Sequence, residues 1–339
     1  MVVNPAVIAL VFAALLSAAA TLGCSLFAIE VLRRWDLSSG SERQLRLERR
    51  TYLVSTVVRL VLLVEAVTLL LFVFNADRMS GLFVGAMCAV GALKANAYGF
   101  PALFLKIAGF FLAAVWLMMQ AVDERGWDYP LIRAKYALLL VLAPLMTVSA
   151  VVQIRYFAGL KADVITSCCG ALFSGTGPEV EAELASFEPV TALWAMAAAL
   201  GAAVLAALHV AWCGRGTRLL ALLGGVAFVV SLAGIISAVS IYVYEQPHHH
   251  CPFCLLKPEY GFIGYALYLP LFAATAVALG LGVVGRYRAA ASLATVLPGF
   301  VRRWAIFAAA LFFLTIALSA QSIIRSNLIL VEWQQGPSR

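Results

Sequence analysis

Gly81-Leu82-Phe83-Val84-Gly85-Ala86-Met87-Cys88-Ala89-Val90-Gly91-Ala92-Leu93 is the stretch on which the topology of this chain turns. It is apolar for only 13 residues, whereas a helix needs roughly 20 to cross the hydrocarbon of a bilayer. Glycines interrupt it, and Lys94, Asn96 and the turn Tyr98-Gly99-Phe100-Pro101 follow. It reads either as a short re-entrant or interfacial helix over 81–93 or as an additional span. A span here would invert the sidedness of everything downstream.

The surrounding chain fixes the class. Of 339 residues 63% are hydrophobic and 12% charged, against about 25% charged in a soluble domain. The expected fold is all-α: a polytopic membrane helix bundle of about eight transmembrane helices plus the short 81–93 helix. The spans are expected near Ala6–Leu32, Tyr52–Phe74, Pro101–Val122, Tyr136–Ile154, Val190–Trp212, Leu219–Tyr244, Tyr260–Val284 and Trp304–Ile324. No polar stretch is long enough to bury the core of a separate soluble domain. The first apolar run lacks a basic leader and continues past Cys24, which suits a retained span over a signal peptide. The net charge of +7 is a matter of loops and orientation, not a nucleic-acid footprint.

Basic residues choose between the two topologies. Arg33, Arg34, Arg43, Arg46, Arg49 and Arg50 crowd the first connection and mark it cytoplasmic by the positive-inside rule. If 81–93 does not cross, that side also receives Arg125, Arg133, Lys135, Arg215, Arg218, Arg286, Arg288, Arg302 and Arg303. The other side receives only Arg155, Lys161, Lys257, Arg325 and Arg339. The imbalance favours eight spans in a plasma membrane of bacterial type, with both termini outside. Cys88, Cys168, Cys169, Cys251 and Cys254 then share the outer face, where disulfides persist.

The outer face carries the candidate chemistry. His248-His249-His250-Cys251-Pro252-Phe253-Cys254 precedes the seventh span, with Lys257 and Pro258 behind it. In a Cys-X-X-Cys turn, nearby positive charge and the N–H groups of a following helix acidify a thiol. The histidines and Lys257 would supply the charge, and Pro258 would open the helix at its first turn. The alternative is an unreactive pair or a structural disulfide. Cys168 and Cys169 are adjacent; a disulfide between them would be strained and labile, or each would face another cysteine or a soft metal. As a metal site, His248, His249, His250 and Cys88 would join the other cysteines around copper or zinc, with Met79 and Met87 nearby in sequence.

A second set of candidates lies inside the membrane. Glu65 is placed near the middle of the second span, Arg59 nearer its inner end and Lys106 near the outer end of the third. Charges at that depth are costly and pair with one another. Glu65 is therefore expected to meet Lys106 or Arg59, as a structural ion pair or as part of a transport path.

The order of outer loop with a cysteine pair, helix, helix, CxxC and helix resembles vitamin K epoxide reductase-type proteins and, more distantly, DsbB-type membrane thiol oxidoreductases. The resemblance covers residues 136–284. It implies a four-helix catalytic unit there, between an N-terminal three-helix region (1–135) and a C-terminal helix and tail (285–339). It also implies that Cys251 and Cys254 are the quinone-proximal pair and that Cys168 and Cys169 exchange with a periplasmic or extracellular dithiol protein. Tyr260 and Tyr265, with Phe262 and Tyr268, would line the quinone pocket. The leading expectation is thus a membrane thiol–disulfide oxidoreductase, quinone-coupled on the resemblance. A copper- or zinc-binding or transport protein is the alternative, and a structural subunit of a membrane complex the third reading.

Overall fold

A computed structural model describes residues 4–37, 39–161 and 188–328. The long apolar runs form eight helices long and apolar enough to cross a membrane. They are α1 (Pro5–Arg34), α2 (Glu42–Ser80), α4 (Gly99–Asp123), α5 (Ile132–Ala158), α6 (Pro189–Cys213), α7 (Thr217–Tyr244), α8 (Ile263–Val284) and α9 (Leu297–Arg325). The only other α-helix among the described residues, α3 (Ala89–Lys94), has six residues. At 1.5 Å per residue it is about 9 Å long, far short of a bilayer core. The 81–93 stretch therefore does not cross, and 81–98 is a connection that leaves the bundle on the side it entered.

Local signals explain the helix ends. Asn4 caps α1 through its side chain, which accepts from Ala6 N at 3.0 Å, and Pro5 takes the first position, where no N–H is needed. Arg33 and Arg34 close the same helix at the end its dipole makes negative. Ser41 caps α2 by accepting from Gln44 N at 3.3 Å, which starts that helix well before its apolar part. At 39 residues α2 is about 58 Å long, nearly twice the hydrocarbon thickness. Arg43, Arg46, Arg49 and Arg50, expected in a loop, ride on this helical extension. Between α6 and α7 the chain reverses in three residues because Gly214 and Gly216 adopt φ of 65° and 87°, values open to glycine at little cost.

The spans pack as two groups of four. Helices α1, α2, α4 and α5 form one, and α6 to α9 the other, with α4 and α8 joining them. At the joint Phe111 stacks on Phe272 with ring centroids 5.5 Å apart, and Phe228 meets both rings edge-on. A Cβ on Gly280 would lie 2.6 Å from Met118 Sδ, so α8 approaches α4 closely only because that residue is glycine. The fourth span packs on α1 and α4, and the last span on α6 and α8.

Candidate metal centre

The site is built where the two groups meet on the face shared by the 81–98 and 245–262 connections. Helix α7 widens into a π turn over Ile235–Val239 and stops at Tyr244, where Glu245 turns left-handed at φ 54°. The chain then runs through His248–Cys251 into two 3₁₀ turns, Cys254–Leu256 and Pro258–Tyr260, and α8 begins at Ile263. Pro258 thus opens a separate short turn and not the seventh span, because Gly261 and Phe262 both turn left-handed before the helix starts. No long helix N-terminus follows Cys254 to acidify it.

Side chains from α7 and α8 clamp this loop by its backbone. The Tyr244 hydroxyl donates to the Cys251 carbonyl, and the Tyr268 hydroxyl to that of Pro252 at 3.0 Å. His250 Nδ1 lies 3.2 Å from the Ile236 carbonyl within the π turn. A Cβ on Gly264 would sit 2.8 Å from Leu256 Cδ2, so the first turn of α8 presses directly on the turn that begins at Cys254. The loop is therefore held at both ends, and its sulfurs are fixed against the bundle.

Cys88 completes the site from the other group. It stands in extended backbone immediately before α3, which packs on α2. Its Sγ is 3.3 Å from Cys251 Sγ. The sulfurs of Cys88, Cys251 and Cys254 all lie within 4.8 Å of one another. The three residues are 1%, 2% and 6% exposed, so the cluster is walled off from bulk water. Among the described residues this is the one group of histidine, cysteine and acidic side chains whose ligand atoms converge closely enough for a metal ion. Cys168 and Cys169 lie outside the described residues.

Electrostatics make these thiols reluctant acids. The Cys251 thiol is raised by its hydrogen bond with Cys254 and by burial, against a smaller opposing effect of Cys88. At Cys254 the hydrogen bond with Cys251 lowers the thiol, but the one with Cys88 and burial outweigh it, and the net shift is upward. Lys257 favours the Cys254 thiolate only weakly. Burial pushes His250 below its ordinary value and so disfavours its cation, and its Nδ1 is turned to Ile236. His249 stacks on Tyr244 with centroids 4.1 Å apart. None of His248, His249 and His250 has a ring nitrogen in the sulfur group. A triplet of histidines beside cysteines reads as ligands in sequence, but the turn sets the rings of His249 and His250 against Tyr244 and Ile236 of α7.

The remaining candidates are placed as follows. Tyr260 packs edge-on against Tyr244 at 4.6 Å, and Tyr265 lies against Phe262 at 6.3 Å. Met79 is buried and its sulfur accepts from Asn75 Nδ2 at 3.2 Å, while the Met87 side chain is exposed. Glu65 meets Lys106 at 3.5 Å, and Thr68 links them, accepting from Lys106 Nζ at 3.2 Å and donating to Glu65 at 3.0 Å. Arg59 pairs instead with Glu124 at 3.0 Å, six residues further toward the other end of α2. A second buried pair was not foreseen: Lys135 Nζ lies 2.6 Å from Asp123 and 2.7 Å from Gln120 Oε1. Its signal was a lysine and an aspartate facing each other across the short α4–α5 connection, where each also reads as an ordinary loop charge.

Comparison of the chain with protein-family models, with curated proteins and with solved structures gave no match. The protein is a membrane-embedded helix bundle whose Cys88, Cys251 and Cys254 form a buried site fit for metal or redox chemistry.

Proposed function

We propose that the protein binds a soft d¹⁰ metal ion, Cu(I) foremost, through the thiolates of Cys88, Cys251 and Cys254. The observation that carries this reading is the convergence of three buried sulfurs from two separate connections within 4.8 Å. Thiolates select Cu(I) and Zn(II) over hard cations. A zinc site calls for four ligands, or for three and an open position; three sulfurs shut away from water suit the low coordination number of Cu(I) better. The raised thiols argue in the same direction. A catalytic CxxC works through a lowered thiol pKa, whereas a metal ion can displace protons from reluctant thiols. The site faces away from the cytoplasm, because Arg215, Arg218, Arg286, Arg288, Arg302 and Arg303 crowd the opposite ends of α6 to α9.

The purified full chain should take up one Cu(I) per molecule against a chromophoric Cu(I) chelator. Cys88→Ser, Cys251→Ser and Cys254→Ser should each bind that copper more weakly. Undiminished affinity in all three variants would overturn the reading.

The 3.3 Å Cys88–Cys251 contact favours a second reading, thiol–disulfide exchange. Here one thiolate of a partner dithiol on the same face opens a Cys88–Cys251 disulfide to a mixed disulfide, and the partner's second thiol displaces it. The partner leaves as a disulfide, having given up two electrons and two protons, and Cys88 and Cys251 are left as thiols. The resemblance to vitamin K epoxide reductase-type proteins also implies thiol–disulfide exchange, but there from a partner to Cys168 and Cys169 and on to Cys251 and Cys254, with a quinone as the onward acceptor. Thiol trapping in cells that finds Cys88 and Cys251 cycling between disulfide and thiols with oxidant supply would favour the second reading.

A further inference from the structure

We infer that the face opposite the cysteines carries a binding site for the phosphate of an anionic phospholipid, in a cavity between the α6–α7 turn and the start of α9. The cavity, about 270 Å³, is lined by Arg215 and Arg288 together with Leu293, Leu297 and Pro298. Arg288 reaches over the α6–α7 turn: its guanidinium would stand 3.6 Å from a Cβ on Gly214. The two arginines thus come from connections more than 70 residues apart in sequence and converge on one space.

Charge distinguishes this end of the molecule from its neighbour. In the first group the same face holds both signs, and three of its arginines pair with carboxylates: Arg59 with Glu124, Arg34 with Glu30, Arg46 with Glu42. In the second group it holds Arg215, Arg218, Arg286, Arg288, Arg302 and Arg303. Between residues 205 and 304 the only carboxylates are Glu245 and Glu259, both in the connection that carries Cys251 and Cys254, across the bundle. Neither Arg215 nor Arg288 makes an ion pair or a hydrogen bond with the described residues. A planar guanidinium pair without carboxylates is a receptor for phosphate oxygens.

The surroundings select a lipid over a free anion. Half of the lining is apolar (Leu293, Ala294, Leu297 and Pro298), and Trp212 and Leu219, which flank the α6–α7 turn in sequence, are 77% and 53% exposed. Both lie at the ends of membrane-spanning helices, the level at which headgroups meet acyl chains. A phosphatidyl headgroup would set its phosphate between Arg215 and Arg288 and run its chains down over Trp212 and Leu219.

The test is lipid binding to the detergent-purified full chain, measured by native mass spectrometry with phosphatidylglycerol and phosphatidylcholine. Phosphatidylglycerol should bind preferentially, and R215A/R288A should weaken it about tenfold or more. R302A/R303A, on the same face but outside the cavity lining, should keep most of the preference. Equal loss in both double variants would reduce the effect to a diffuse surface field and overturn the site. Displacement of the lipid by millimolar inorganic phosphate would overturn the lipid assignment.

Discussion

If Cu(I) must displace protons from Cys251 and Cys254, its affinity has to depend steeply on pH, and the slope counts the thiols. Both thiols are raised above the ordinary value of 9.0, Cys251 chiefly by its hydrogen bond with Cys254, and Cys254 by its hydrogen bond with Cys88 and by burial, which outweigh the lowering effect of its bond with Cys251. Each is therefore protonated in the metal-free protein across the neutral range, and each must release its proton on ligation. Every proton released adds a factor of about ten in affinity per pH unit. Two such thiols give a slope of at least about two, or roughly a hundredfold per unit, between about pH 6 and pH 8. The sign follows from the direction of the shifts: affinity rises with pH and levels off only above the raised values. The assay is competition for Cu(I) against a chromophoric chelator in detergent, corrected for the chelator's own protonation. Cys254→Ser should lower the slope by about one, since a serine ligand position releases no thiol proton. A slope below about one in the intact protein, or an unchanged slope in the variant, would refute ligation by these thiols.

Other consequences follow from the packing. Lys135→Met leaves Asp123 buried without its ion partner and should cost about 3–5 kcal/mol, read as a lowered unfolding midpoint in detergent. Lys135→Met with Asp123→Asn should recover most of that loss, because Asn retains the acceptor that Leu131 N uses at 2.8 Å. Gly264→Ala would put a Cβ 2.8 Å from Leu256 Cδ2 and 2.9 Å from the Leu255 backbone. It should cost about 1–3 kcal/mol by overpacking and weaken Cu(I) binding, although no ligand changes. Gly282→Ala, 2.4 Å from the Ala221 Cβ, should destabilise the α7–α8 contact by a similar amount while leaving the ligand geometry at the far end of α8 intact, as a Cu(I) titration would show.

The sequence was most informative where a single physical requirement dominates. Eight runs long enough to span lipid became eight helices, and their boundaries moved by a few residues at most sites because apolar length is what a bilayer selects. The larger shifts are in α2, which Ser41 starts ten residues early and which runs six residues past Phe74, and in α9, which starts seven residues early at Leu297 with Pro298 in its first turn; the left-handed Gly261 and Phe262 delay α8 by three. The brevity of 81–93 was legible, and with it the common side of Cys88, Cys251 and Cys254. Side-chain direction within the cysteine loop was not. The π turn at Ile235–Val239 offers His250 a carbonyl, and nothing in the pattern of apolar residues marks such a turn. Helix partnership was equally hidden, since close approaches such as Gly280 on Met118 depend on small residues that look alike wherever they fall.

The most direct measurement is X-ray absorption at the copper edge of the full chain loaded with one Cu(I). The account predicts a first coordination shell of three sulfurs, falling to two in Cys88→Ser. A shell dominated by nitrogen or oxygen, or one that stays at three sulfurs when Cys88 is replaced, would contradict it.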